Sequence, residues 1–347
     1  MNISSEKTVA DFIQVLAAQS HSAANSDARV TVLNHYGLIA FSGVETGKFL
    51  QGQTTCNIKD LTTTKSLAGA CCSPKGRMYC NVQLALDNDG QHWLRLRRDV
   101  LDSSLQTLNK YLALFRGSKA INCSDSHIVL GVSGSKAKAL INTLVGSCPE
   151  QRHDSVSGED IIVVCIDAEQ SRYEMWLSAS KAISIWSTVM EHATLGDSSE
   201  WLLANIQSGI GDVHAETQDE FVPQMLNLQA LNAISFNKGC YTGQEIVARM
   251  HYLGKLKKRM YRATVSGVDI APAAGSELYA VNAISGELQS VGHVVDAVIH
   301  NGQCELLAVI PDELVESAKP VQLGKNGGEI TVVPLPYAIT TALPSKQ

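Results

Sequence analysis

The sequence predicts an α+β protein: ferredoxin-like layers of antiparallel strands and helices, followed by a small β-barrel or sandwich. Three observations predict it. Apolar runs of strand length alternate with amphipathic helical stretches through the first two thirds of the chain. From Arg262 onward the pattern changes to short alternating strands broken by Gly and Pro. Hydrophobic residues make up 45% and charged residues 18% of the 347 residues, which supports a sizeable core and argues against disorder.

Residues 1 to about 30 are polar and Ser/Ala-rich with one short amphipathic segment, and read as a loosely held arm or helix. TVLNHYGLIAFSG reads as a strand pair or hairpin. Ser42 and Glu45 have capping-box spacing, so a short helix through Phe49 and Leu50 is expected, ending near Gly52. SLAGACC, MYCNVQLAL and QHWLRLR read as strands, the last two joined by the turn Asp87-Asn88-Asp89-Gly90. A helix is predicted from about Val100 to Phe115, because Leu101, Leu105, Leu108, Leu112 and Phe115 share a face and Gly117 suits its C-cap.

HIVLGV, DIIVVCID and YEMWLSA are further strands. Helices are predicted through Ala137 to Val145, from about Ser180 to His192, and from Ser199 to Gly209. The closing strands are YRATVSGV, SELYAV, ELQSVGHVVDAVI, CELLAVI, PVQLG and EITVVPLP, and Lys255 to Arg262 is the best linker before them.

A net charge of -6 argues against a general nucleic-acid coat. The first twenty residues lack a basic segment followed by an apolar run, and no apolar run approaches the roughly 20 residues of a membrane span, so a cytoplasmic protein is expected. Nine scattered cysteines, with no CxxC pair, suit reduced thiols better than disulfides or a zinc site. His251, His293 and His300 lack metal-ligand spacing, and GVSGSK lacks the spacing of a phosphate loop. No tightly bound metal is expected.

The segment NKGCYTGQE carries the strongest chemical signal. Thr242 and Glu245 have capping-box spacing, which predicts a helix beginning at Thr242 with Lys238, Gly239, Cys240 and Tyr241 in the loop entering it. A helix N-terminus and a nearby ammonium both favour thiolate. Two readings fit equally: Cys240 is a reactive thiol supported by Lys238, or a small side chain filling space under a glycine turn. A protease-like triad is disfavoured, because nothing else points to a paired His and carboxylate.

KGCYTGQE, with QALNAISFNKG before it and VAR after it, resembles the signature of the YgfZ family of folate-binding proteins, with Gly239, Tyr241, Gly243, Gln244 and Glu245 as motif positions. FLQGQTT, SPKGRM, WLLANIQSGI, FVPQMLNLQAL and the closing PLPY extend the resemblance over nearly all of the chain beyond the first 30 residues. The family is related to the T-protein of the glycine cleavage system, an aminomethyltransferase using tetrahydrofolate, and has a mitochondrial relative that assists iron-sulfur cluster assembly.

The resemblance implies a three-domain ring around a central folate channel, with two ferredoxin-like α+β domains and a C-terminal β-barrel. Its domains fall on residues 25–65 with 200–255, on 66–199, and on 256–347. It also implies tetrahydrofolate or a derivative as cofactor, with Tyr36 and Trp201 as the aromatic contacts. A pterin stacks on rings, and its aminopyrimidine edge suits a carboxylate or amide. Gln207 falls where relatives usually carry Glu facing the pterin. The paired aspartates of T-proteins fall near Cys80 and Asn81, which bear no carboxylate, so aminomethyl transfer is disfavoured.

The implied role is folate-dependent support of iron-sulfur enzymes, those that thiolate tRNA among them; a one-carbon transferase is the alternative. The stretch GKLKKRMYR, with Lys255, Lys257, Lys258, Arg259 and Arg262, reads first as a solvated interdomain turn. A dock for a polyglutamyl tail, an acidic partner or tRNA is the less favoured reading.

Overall fold

The computed structural model describes residues 7–18, 26–254, 256–282 and 284–339. Helix α1 (Val9–Ala18) precedes β1 (Arg29–Val32), β2 (Tyr36–Ser42), α2 (Thr46–Gln53), β3 (Leu67–Cys72), β4 (Met78–Leu86) and β5 (His92–Arg97). Next come α3 (Leu101–Leu112), β6 (Lys119–Asn122), β7 (His127–Ser133), α4 (Ala137–Val145), β8 (Ser155–Gly158), β9 (Ile161–Asp167) and β10 (Arg172–Ser178). They are followed by α5 (Ala179–His192), β11 (Thr194–Leu195), α6 (Ser198–Gln207) and α7 (Gln244–Tyr252). The chain closes with β12 (Lys258–Ser266), β13 (Glu277–Val281), β14 (Leu288–His300), β15 (Gln303–Pro311), α8 (Asp312–Glu316), β16 (Gln322–Leu323) and β17 (Thr331–Val333).

The chain divides into two compact units. The first holds residues 1–51, 57–68 and 82–198, the second 52–56, 69–81 and 199–347.

The first unit contains a six-stranded sheet, β11-β1-β7-β10-β9-β8, antiparallel except where β1 meets β11. Its core joins that sheet to α1, α4 and α5, with Trp186, Tyr173, Phe12 and Leu130 fully buried. Phe12 meets Trp186 edge-on at 5.1 Å, so α1 is docked in the core rather than a loosely held arm. The amphipathic segment packs because its one apolar face covers α5. Of the rest of the expected arm, residues 1–6 and 19–25 lie outside the described residues, and β1 already begins at Arg29.

A second sheet runs β3-β4-β5-β2-β6, and the unit boundary cuts β3 and β4. β1 and β2 sit in different sheets, which corrects the hairpin reading of TVLNHYGLIAFSG. The Asn34-His35 link turns the chain from one sheet to the other instead of pairing the strands. β4 and β5 do form the expected hairpin: Asp87 Oδ1 accepts the N–H groups of Asp89 and Gln91 at 3.0 and 2.8 Å, with Gly90 at φ 81°. The Ser42 capping box does not form. Ser42 remains in β2, Gly43 takes φ 116°, and α2 begins at Thr46, whose N–H bonds the Gly43 carbonyl at 3.1 Å.

The second unit is built on a six-stranded antiparallel sheet, β16-β13-β14-β15-β12-β17. A bridge between Gln322 and Glu329, and the Ile330 N–H on the Val321 carbonyl at 2.8 Å, link the segment entering β17 to β16. The two ends of the sheet meet there, and it curls around a core of Ala263, Leu278, Val294, Leu306, Ala308 and Ile310.

The expected linker is corrected from Lys258 onward, because β12 starts there. Arg259 is buried and holds Asp312 through Nε at 2.9 Å and Nη2 at 2.7 Å. Arg262 holds Glu305 at 2.8 Å through Nη2. Those two guanidiniums are engaged by acids of the same unit, so the basic stretch is not a free solvated turn. Lys255 lies outside the described residues. Among the described residues no helix is long and apolar enough to cross a membrane.

Candidate functional site

The conspicuous loop lies on the tight turn between β3 and β4, within the second unit. That turn is closed by the Ser73 N–H on the Arg77 carbonyl and the Gly76 N–H on the Ser73 carbonyl, each at 2.8 Å. Gly243 packs directly on it with φ 82°. A Cβ at Gly243 would lie 2.5 Å from the Ser73 carbonyl oxygen and 2.9 Å from the Gly76 Cα. Only glycine satisfies both the left-handed backbone and the close approach.

This contact corrects the expected helix start. Gly243 is the N-cap of α7, with no side-chain cap, and the helix begins at Gln244. Thr242 instead sends its N–H to the Gly52 carbonyl at 3.1 Å, while the Tyr241 N–H bonds Gln244 Oε1 at 3.3 Å. The Thr242–Glu245 capping box is displaced because the chain must be left-handed one residue after Thr242 to clear the Ser73 turn. Ile246 seals the same contact from the helix, 2.7 Å from where a Gly76 Cβ would stand.

Lys238 fastens the other end of the loop. Its Nζ donates to the carbonyls of Thr54 and Cys56 at 2.6 and 2.7 Å and lies 5.0 Å from the centre of the Tyr241 ring. Burial pulls the ammonium down to about 8, against the nearby Cys56 and Cys71, which act in the opposite direction. The residue expected to support the Cys240 thiol thus binds loop to segment 52–56.

Beneath lie four buried thiols, Cys56, Cys71, Cys72 and Cys80. A hydrogen bond with Cys80, reinforced by burial, raises the Cys71 thiol well above its ordinary range, and burial pushes Cys72 upward as well. Thiols held protonated in this way are poor nucleophiles. Cys240, by contrast, is exposed, and it is the one exposed thiol of the nine.

Asn81 stands where the resemblance led to a missing carboxylate, and the structure brings one to it. Asn81 Nδ2 donates to Asp212 Oδ1 at 3.0 Å and to the Gly211 carbonyl at 3.2 Å, while its Oδ1 accepts the Val213 N–H at 2.8 Å. The Asp212 N–H bonds Asp296 Oδ2 at 2.9 Å, and His214 Nε2 lies 2.6 Å from Asp296 Oδ1. Both carboxylates are buried. Burial raises the Asp296 carboxyl, while the hydrogen bond and charge of His214 pull it down. Sequence reasoning missed these acids because they lie 131 and 84 positions from the groups they meet.

The aromatic and amide positions fall on two units. Trp201 and Gln207 lie on α6 in the second unit, Trp201 buried and Gln207 half-buried at the last turn. Six positions of helix set them about 9 Å apart along the axis and roughly 120° apart around it. Tyr36 belongs to the first unit, where it is buried and carries the Arg95 guanidinium 3.9 Å from its ring centre. Arg95 in turn pairs with Glu174 at 3.1 Å.

A known enzyme shares this fold. The structure of the glycine cleavage system aminomethyltransferase T from Bartonella henselae superposes with a TM-score of 0.63 at 14% identity, over 90% of this chain and 86% of that one. The fold is therefore the mixed α+β fold of aminomethyltransferase T. Among curated sequences, the tRNA-modifying protein YgfZ of Yersinia enterocolitica is 32% identical over 311 residues, spanning 89% of this chain and 92% of that protein. Its counterpart in Klebsiella pneumoniae is 31% identical over 326 residues, 93% of this chain and 97% of that protein. The chain belongs to the YgfZ family. No family model matches it.

Proposed function

We propose that this chain is a folate-binding accessory protein that supports iron-sulfur enzymes, tRNA-thiolating ones among them, and that it presents Cys240 to such a partner. The observation that carries the reading is the contrast among the thiols. Eight are buried or half-buried, while Cys240 is exposed on a loop pinned at Lys238 and at Gly243. A loop held so firmly around one accessible thiol suits presentation to another molecule.

Tetrahydrofolate or a derivative is the ligand that the family resemblance assigns to α6. The half-buried Gln207 amide offers a donor and an acceptor for the aminopyrimidine edge, and stacking of a pterin on Trp201, buried in this structure, requires its ring to be uncovered. When bound, folate supplies a one-carbon unit or a reducing pterin. Tyr36 is the weaker member of this set, since Arg95 already lies on its ring. Titration with tetrahydrofolate, followed by tryptophan fluorescence in wild type and in Trp201→Phe, tests the assignment. A saturable signal that shrinks in the variant is expected; a flat wild-type titration overturns it.

One observation favours a second reading. Asp212 brings a carboxylate to Asn81, near which the family resemblance puts the paired aspartates of T-proteins. Against it, both oxygens of Asp296 and the whole Asn81 amide are already committed to partners within the unit. Turnover of an aminomethyl donor or of methylene-tetrahydrofolate, lost in Asp212→Asn, is the result that would establish a transferase.

A further inference from the structure

A cavity of about 530 Å³ lies wholly within the first unit, apart from Cys240 and the folate positions; of the nine thiols, the half-buried Cys123 lines it. It is bordered by strands of both sheets: Trp93 comes from β5, His127 from β7 and Trp176 from β10. Its volume is in the range that holds a small molecule rather than a protein segment.

The two tryptophans share an uncommon feature. Trp93 Nε1 donates to Asp87 Oδ2 at 2.8 Å, and Trp176 Nε1 donates to Glu174 Oε2 at 2.9 Å. With both indole N–H groups bound to carboxylates, the remaining handle for a ligand is π-surface, which the half-buried Trp93 presents while Trp176 is buried behind it. A carboxylate on the N–H also pushes electron density into the ring and makes that surface more negative. His127 packs against Trp93 with ring centres 4.8 Å apart, which holds that indole in place.

The acidic and basic residues that line the cavity are of one sign, while behind Trp176 the Glu174 carboxylate is paired with Arg95. Asp87, Asp89, Glu159 and Asp160 all border the cavity, and none of its lining residues is Lys or Arg. Asp89, Glu159 and Asp160 are exposed, so their potential acts at the mouth. An anionic ligand such as a folate tail or a phosphate meets repulsion there, and a neutral one gains only apolar contact. A cation gains both the rim and the Trp93 face.

We propose that this cavity is a binding site for a small organic cation, an ammonium group carried on an apolar body. It is independent of the folate reading and stands or falls without it.

Calorimetric titration of the full chain with three matched probes tests it: benzyltrimethylammonium, its neutral carbon isostere neopentylbenzene, and phenylacetate. The cation is expected to bind about tenfold or more tightly than the neutral isostere, and the anion not at all. Asp89→Asn with Asp160→Asn is expected to weaken only the cation, and added salt to do the same. Trp93→Leu is expected to abolish binding; should that variant fail to fold, the two rim substitutions still decide. Equal affinity for cation and isostere overturns the charge assignment, and no saturable heat from any probe overturns the site.

Discussion

Gly243 and Gly76 are in contact, backbone on backbone: a Cβ on the first would lie 2.9 Å from the Cα of the second. Both have positive φ, 82° and 69°. The pair joins the signature loop to the β3–β4 turn with no room for a side chain on either residue. Gly243→Ala must pay for a left-handed backbone and displace the Ser73 carbonyl, so a loss of about 2–4 kcal/mol is expected. Gly239→Ala, four positions earlier, meets nothing within 4 Å and should cost under about 0.5 kcal/mol. Denaturant midpoints of the two variants check this contrast, and equal losses would contradict it.

Lys238 makes a pH-dependent contribution whose sign can be worked out. Its ammonium loses its proton at about 8 in the folded chain, against 10.5 for an ordinary lysine. Between those values the unfolded chain holds a proton that the folded chain has released, so stability rises with pH across that window. The penalty of burying the charge is fully present below pH 8. Lys238→Met removes the titration, so wild type should gain on the variant between pH 8 and 10. Chemical denaturation of both proteins at several pH values measures the gap, which should be flat below pH 7.

The Arg95–Glu174 pair is buried on both sides and 3.1 Å apart. Glu174 also accepts Trp176 Nε1, and Arg172, pulled down to about 10 by burial, is held up in part by the same carboxylate. Glu174→Ala leaves buried cations without that charge and should cost about 3–5 kcal/mol. Glu174→Gln keeps an acceptor for Trp176 and for Arg95, and should cost less. Thermal melts of the two variants give the order, and Gln costing as much as Ala would show that shape rather than hydrogen bonding matters here.

The elements were largely legible because their signals are local. Apolar alternation marked the strands, leucine spacing marked α3, and Asp87 to Gly90 marked a hairpin turn. What failed was decided by residues far away in the chain. The Thr242 cap gave way to Gly243 because Ser73 and Gly76 press on it, and β1 parted from β2 because each found a different sheet. In the candidate site, the loop leading into a helix was readable from KGCYTGQE, but the exposure of Cys240 was not, since a reactive thiol and a side chain filling space fitted the sequence equally. The partners of Lys238 were not, since backbone carbonyls leave no trace in residue identity. Asp212 and Asp296 were invisible for the related reason that their partners lie in separate segments.

Accessibility, rather than residue number, should sort the thiols by reactivity. Cys240 is exposed; Cys123 and Cys148 are half-buried, and burial raises both of them. The remaining six are buried, with Cys165 pushed up to about 12. Because thiolate is the reacting species, a raised thiol and a covered one are both slow. Titration of the native chain with an aromatic disulfide reagent should therefore show one fast thiol, and the denatured chain all nine. Cys240→Ala should remove the fast phase and leave the denaturation midpoint within about 0.5 kcal/mol of wild type, since an exposed side chain supports little packing. Loss of tRNA thiolation in cells carrying this folded variant would assign the thiol to the partner reaction. Full thiolation, with the fast phase gone, would make Cys240 dispensable and leave the pinned loop serving the fold alone.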